Sequence, residues 1–286
     1  MISPGPVFAF STLACPEWSV DRTIEAAGRL GYDAIEWRGG PDGHVRTSWP
    51  ARRRAALRRR SETAGVAALA VTAYATFTSS DPRLRSRSAL DLLRHVELAA
   101  DLGAPFVRTF VGHRERSEPI GDVAARAAEA IRPVAEAAAA AGVALALEPH
   151  DDFATLARLR LVLDALDHPG ARVALDVVNA WEAGEAPRSA ARRAAGRVAY
   201  VQLKDARRGG SGTCLTEIGR GEVPLVDALV ELTRSGPLPP LSFEWERAWH
   251  PELAPADVVL GPALEELRRL AARALDTVRQ PSGDQR

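Results

Sequence analysis

Four β-like segments in the second half of the chain each end on an oxygen donor suited to a hard metal ion. They are Glu148 in VALALEPH, Asp176 in RVALDVVN, Gln202 in VAYVQLKD and Glu244 in LSFEWE. Carboxylates brought together repel one another unless a cation neutralises them. Two glutamates, one aspartate and an amide oxygen suit Mn2+ or Mg2+, with Co2+ or Zn2+ also able to bind. Zinc alone would favour more nitrogen or sulfur. An ion so held grips adjacent oxygens of a polyol and polarises a carbonyl, and a neighbouring carboxylate can then move a proton on carbon.

Lys204 follows Gln202 by two residues and is the sole lysine; the other 36 of the 37 basic residues are arginine. A chain so biased would have exchanged a lysine needed only for charge. An ammonium is a compact donor whose pKa can shift, which a guanidinium cannot match. The bland alternative is a chance survivor paired with Asp205.

Residues this far apart can meet only if parallel strands bring their carboxyl ends to one mouth. Short β-rich runs fall at 7–11, 33–38, 66–74, 105–110, 143–148, 171–176, 198–203 and 240–245. Amphipathic runs alternate with them near 20–30, 50–63, 86–101, 120–140, 155–166, 187–195, 224–234 and 256–275. Glycines at 31, 65, 103 and 142 follow helical runs, as helix ends require. Eight strands and eight helices predict a single-domain (β/α)8 TIM barrel over residues 1–278, with 279–286 a disordered tail. A doubly wound open sheet is disfavoured, because no glycine-rich fingerprint follows the first strand.

Composition excludes several classes. The 286 residues carry 37 basic and 37 acidic side chains, so no net charge draws nucleic acid. The arginine-rich run at 51–60 lacks interleaved aromatics and reads as a solvated helix face, with Ala56, Leu57 and Ala64 inward. Two distant cysteines, Cys15 and Cys214, make neither a disulfide framework nor a thiolate site. The start lacks the basic segment of a signal peptide, and the alanine-rich stretch at 134–147 is too short to span a bilayer. A cytoplasmic protein is expected, without nucleic-acid or membrane partners and compatible with a homodimer.

The motifs together resemble the xylose isomerase-like TIM-barrel superfamily of sugar-phosphate isomerases and epimerases. That group includes ketose 3-epimerases, inosose dehydratases, hydroxypyruvate isomerases and endonuclease IV. GYDAIEWRG, with Glu36 and Arg38, VRTF with Arg108, LALEPH, ALDVVNA, IGRGEVPL and SFEWE follow its order along nearly the whole chain. The resemblance implies metal ligation by Glu148, Asp176, Gln202 and Glu244, with Glu148 and Glu244 as the proton-transfer pair. Two positions depart from it. Gln202 stands where the family usually has histidine, an exchange that also resembles dehydroshikimate dehydratases. Asn179 stands where members often carry another histidine, and asparagine cannot shuttle a proton near neutral pH.

Glu148, Glu244 and Lys204 are therefore the catalytic candidates, and Arg108, His150, Asn179, Glu36 and Glu246 the substrate-contact candidates. Arg108 could hold a carboxylate or phosphate, or pair with Glu36. Asp176 could instead cap a helix ahead of Asn179. His150 and His113 divide evenly between substrate contact and loop structure, while His44, His95 and His168 read as surface or helix residues. Trp37 and Trp181 could stack on a sugar, although packing is the commoner role. The leading expectation is a metal-dependent isomerase or epimerase of a sugar, polyol or hydroxy-ketone. A lyase on the same scaffold and a non-catalytic sugar-binding barrel are the alternatives. The extra histidines and DNA-binding surface of the endonuclease branch are not apparent.

Overall fold

A computed structural model describes residues 5–210 and 212–280. Eight parallel strands close into a barrel. They are β1 (Phe8–Ser11), β2 (Ala34–Arg38), β3 (Ala67–Thr72), β4 (Phe106–Thr109), β5 (Ala144–Leu147), β6 (Ala171–Asp176), β7 (Val198–Leu203) and, last in sequence, β10 (Leu241–Phe243). β1 completes the ring by pairing with β2 on one side and β10 on the other, Phe8 opposite Leu241. Each expected strand is present; β6 and β7 match their runs, and the others are one to three residues shorter where the ends turn into loops.

Each connection returns outside the barrel through a helix. These are α1 (Val20–Leu30), α2 (Ala51–Thr63), α3 (Pro82–Leu102), α4 (Ile120–Ala140), α5 (Leu156–Leu166), α7 (Pro187–Ala194), α8 (Leu225–Ser235) and α9 (Ala256–Arg279). Gly31 and Gly103 close α1 and α3 in the left-handed conformation, φ 88° and 73°, which side-chain-bearing residues avoid. The inner face of α2 differs from expectation: Leu57 and Ser61, one turn apart, are buried, while Ala64 is exposed. α9 runs through Arg279, and residues 281–286 of the expected tail lie outside the described residues. No helix among those described is long and apolar enough to cross a membrane.

Two elements went unforeseen, and both follow functional strand ends. A short helix, α6 (Val177–Glu182), starts directly on Asp176. An antiparallel hairpin, β8 (Asp205–Gly209) with β9 (Gly212–Thr216), projects from the end of β7.

Strand alternation sorts the side chains into two layers. Ile35, Trp37, Val71, Leu145 and Phe243 point outward and pack against the helices in the main core. Ala9, Ala34, Ala70, Ala146, Ala174 and Tyr200 form a second, separate cluster inside the barrel. Alanines at five strands leave the lumen wide enough for the Tyr200 ring and for polar side chains above it. Cys15 is buried and Cys214 exposed, both unpaired.

Candidate active site

Continuing the inward alternation by one step on each strand reaches the polar residues. Glu36 and Arg38 follow Ala34 on β2, Glu148 follows Ala146 on β5, Asp176 follows Ala174 on β6, and Gln202 and Lys204 follow Tyr200 on β7. Sheet bonds extend past two strands: Glu148 N–H donates to Thr109 O and Glu244 N–H to Leu203 O, each at 3.0 Å. All of these side chains gather at the carboxyl-terminal mouth, where the expected site was placed. Glu36, Arg108, Glu148, Asp176, Gln202, Lys204 and Glu244 are all buried.

Glu36 forms the floor. Tyr200 Oη (2.9 Å) and Gln202 Nε2 (3.2 Å) donate to its Oε1, and Ser242 Oγ donates to Oε2 at 2.7 Å. Burial pushes its carboxyl up to about 7, Glu244 adding repulsion and Arg108 opposing it. Both oxygens are thus engaged from below, and Arg108 does not pair with Glu36. Alternation could have flagged Tyr200, two residues before Gln202. The same spacing places Ser242 two residues before Glu244.

Two cations hold the acidic residues together. Lys204 Nζ lies 2.8 Å from both Asp176 Oδ2 and Glu244 Oε2, and also contacts Glu246 Oε1. It makes no pair with Asp205, so the bland reading of this lysine is not what the fold adopts. Arg108 Nε lies 2.6 Å from Glu148 Oε2, and its second terminal nitrogen 3.8 Å from Glu244 Oε1. Gln202 Nε2 donates to Glu244 Oε1 at 2.9 Å. Burial would lower the Lys204 ammonium, but Asp176, Glu244 and Glu246 outweigh it and hold it well above the usual lysine value.

The environments of the two glutamates push them apart. Burial raises Glu148 well above the carboxylate range, against the pull of Arg108. Burial also acts upward on Glu244, yet Lys204 and Arg108 outweigh it and leave its carboxyl below the ordinary value. Asp176 is raised to about 6 by burial, with Lys204 opposing.

Asp176 takes the helix-capping part weighed from the sequence and keeps its second oxygen at the mouth. Its Oδ1 accepts the N–H groups of Val178 (2.8 Å) and Asn179 (2.9 Å), capping α6, while Oδ2 faces Lys204. Asn179 Nδ2 in turn donates to Glu148 Oε1 and Pro149 O, each at 3.1 Å. The helix beginning on a strand-end aspartate therefore fixes its neighbour's glutamate as well.

The rim is aromatic and histidine-bearing. His150 Nδ1 and His113 Nε2 lie 2.8 and 2.9 Å from the same oxygen, Asp151 Oδ1, and the His150 ring is 4.2 Å from that of Phe110. His113 is largely exposed, and His250 lies 3.8 Å from Glu246. His95 is buried on α3, not at the surface. Trp37 packs outward under the helices, away from the mouth, and Trp181 carries the Arg208 guanidinium 4.5 Å from its ring.

Asp205 anchors the glycine-bearing loop after β9. Its carboxylate accepts backbone N–H groups from Ala206 (2.9 Å), Gly219 (3.0 Å), Gly221 (2.9 Å) and Val223 (3.3 Å). A Cβ on Gly221 would lie 1.9 Å from Asp205 Oδ1 and 2.6 Å from Ala206 O. Gly221→Ala is therefore expected to displace Asp205 and cost about 2–4 kcal/mol in denaturant unfolding. An alanine variant as stable as the parent would contradict this role.

The donor chemistry fits a hard cation. Glu148 Oε2, Asp176 Oδ2 and Gln202 Oε1 are buried acceptors on successive strand ends without a hydrogen bond; the contacts from Arg108 and Lys204 lack the alignment for one. Buried oxygens normally find a donor or an ion. Among the described residues no three His, Cys, Asp or Glu side chains converge closely enough to form a metal site by themselves. The set reaches four only with the Gln202 amide, and Lys204 is the group with which an ion would share Asp176 and Glu244.

Fold and mouth together define a (β/α)8 barrel with a buried acidic centre at its carboxyl-terminal end. The family model described as xylose isomerase-like TIM barrel matches residues 24–270, and the chain belongs to that family. Among solved structures it is similar to an L-ribulose 3-epimerase, with TM-score 0.81, 21% identity, and 99% of each chain covered. It is also similar to the IolI protein solved with a zinc atom bound, with TM-score 0.78, 17% identity, and 94% of this chain and 99% of that one covered. A third is the probable 3-DHS dehydratase AsbF of Bacillus anthracis, with TM-score 0.74, 16% identity, and 92% and 98% covered. At these identities the likeness carries the fold alone. No curated protein matches the sequence.

Proposed function

We propose that the chain is a divalent-metal-dependent isomerase or epimerase of a sugar, polyol or related hydroxy-ketone, working by proton transfer on carbon through an enediolate. The observation that carries this reading is that Glu148, Asp176, Gln202 and Glu244 are all buried at the carboxyl-terminal mouth, with Glu148 and Glu244 joined through a single guanidinium. Glu148, Asp176, Gln202 and Glu244 would hold the ion, which supplies polarisation of two adjacent substrate oxygens. The remaining work falls to the chain. Glu244, kept charged by Lys204 and Arg108, takes a proton from carbon. Glu148, whose carboxyl burial pushes upward, returns one from the other side. Lys204 and Arg108 offset the charge that develops between them. Asn179, bonded to Glu148, holds that carboxyl in position.

A lyase outcome shares the first step. After proton removal, loss of a β-hydroxyl as water replaces reprotonation. Gln202 in place of an imidazole favours this second reading, since dehydroshikimate dehydratases of the superfamily resemble the chain at that position.

Incubation with Mn2+ and a panel of ketoses and hydroxy-ketones in D2O separates these readings. The expected result is solvent deuterium at one carbon of a recovered epimer or isomer, followed by NMR. A conjugated, ultraviolet-absorbing product would assign the lyase. Absence of both across the panel, with the protein metal-loaded, would leave only a binding barrel.

A further inference from the structure

Arg38 ends β2 on the inward face, two residues beyond Glu36. It and Arg108 are the two arginines buried among the described residues. Arg108 has Glu148 and Glu244 within 4 Å; Arg38 has no described carboxylate within that distance. Its Nη1 donates to Asp42 O at 3.1 Å, while its Nε is buried without a partner. Nη2 makes no hydrogen bond to the described residues either, so one whole edge of the guanidinium, Nε with Nη2, is left without a partner among them.

A buried guanidinium without a counter-anion is costly, because the water it gave up has not been replaced. What partly replaces it is aromatic. The Trp249 ring lies 4.4 Å from Arg38 Cζ, and Tyr74 meets Trp249 edge-on at 6.2 Å. Trp249 is 51% exposed and Tyr74 37%, so this wall faces the open mouth and not the core. Stacking fixes the plane of the fork, and a fixed, planar pair of N–H donors matches the two oxygens of a carboxylate.

The strand order gives this position its meaning. In the closed ring β2 stands diametrically across from β6, which bears Asp176. A ligand spanning the mouth would have one end over the acidic centre and the other at Arg38. We infer that the unpartnered Nε–Nη2 edge of Arg38 receives a carboxylate of the substrate in side-on, bidentate fashion. The substrate class then narrows from neutral sugars to polyhydroxylated acids. This inference rests on the mouth being the substrate site, as in the function proposed above.

Binding without turnover tests it. Quinate, a ring polyol bearing a carboxylate, is titrated calorimetrically into the full chain beside myo-inositol, its neutral counterpart, and myo-inositol 1-phosphate. Titrations run with a chelator and again with Mn2+. The expected result is quinate bound about tenfold or more tighter than myo-inositol. Arg38→Gln should abolish that preference while leaving the affinity for myo-inositol unchanged, which also shows that the variant is folded. Arg38→Lys, with charge but no fork, should recover only part of the preference. The inference is overturned if wild-type protein does not prefer quinate or does not bind it. It is equally overturned if Arg38→Gln keeps the preference, or if the phosphate binds more tightly than quinate through Arg38. Since no product is read, failure here leaves the deuterium-exchange test standing, and failure of that test leaves this one.

Discussion

Glu148→Gln is expected to lower turnover by about three orders of magnitude while the protein still folds cooperatively. The substitution keeps shape and keeps an oxygen for Asn179 Nδ2, so the bond at 3.1 Å can survive. The amide nitrogen then faces Arg108 Nε where an oxygen lay 2.6 Å away, so the variant should melt below the parent although it stays folded. What disappears is the proton that the carboxyl exchanges with substrate carbon, together with one oxygen donor of the ion site. Steady-state kinetics on whichever substrate shows deuterium exchange, paired with a thermal melt, checks both halves. Turnover within threefold of the parent would remove Glu148 from its assigned role.

Lys204→Met, measured with a chelator present, should destabilise the fold by about 3–5 kcal/mol near pH 8, as expected when one partner of a buried ion pair is removed. The ammonium lies 2.8 Å from two buried carboxylates and touches a third, and a thioether leaves Asp176 without a cation and Glu244 with Arg108 alone. The sign of the pH dependence follows from Asp176. Its folded value, about 6, is above the ordinary 3.8, and losing Lys204 raises it further. A carboxyl raised by folding contributes stability that is complete below its unfolded value and is lost as pH climbs through the folded one. The deficit of the variant should therefore be largest above neutral pH and shrink as pH falls towards 4. Saturating Mn2+ should recover part of it at pH 8, because a divalent ion replaces the missing charge. Denaturant unfolding at both pH values reads all three effects. A variant as stable as the parent at pH 8 without metal would show that Lys204 does not balance the acidic centre.

The barrel was legible because its signals are local. Each strand is a short run of β-branched or small apolar residues, each outer helix has its own amphipathic stripe, and glycine marks the exits. α6 escaped because six residues following a strand carry too little periodicity to separate helix from loop. The β8–β9 hairpin escaped because its polar and glycine residues read as connection. At the site, strand-end position brought out the oxygen donors and Lys204. It could not supply their partners, which the barrel imports from far away in sequence. Ser242, which holds Glu36, is 206 residues from it, and Tyr200 is 164 residues away. The same limit hid Arg38: that a guanidinium lacks an anion becomes visible only once every neighbour is in place. Trp37 shows the converse. As a residue type it suggested sugar stacking, but strand parity turns it outward into the helix layer.

Anomalous diffraction from crystals soaked in Mn2+ bears most directly on the mouth of this barrel. One peak is expected, with an oxygen from each of Glu148, Asp176, Gln202 and Glu244 at about 2.0–2.6 Å. A soaked crystal with no density among those four side chains, or with the ion bound elsewhere while Lys204 keeps its three carboxylates, would contradict a shared divalent centre.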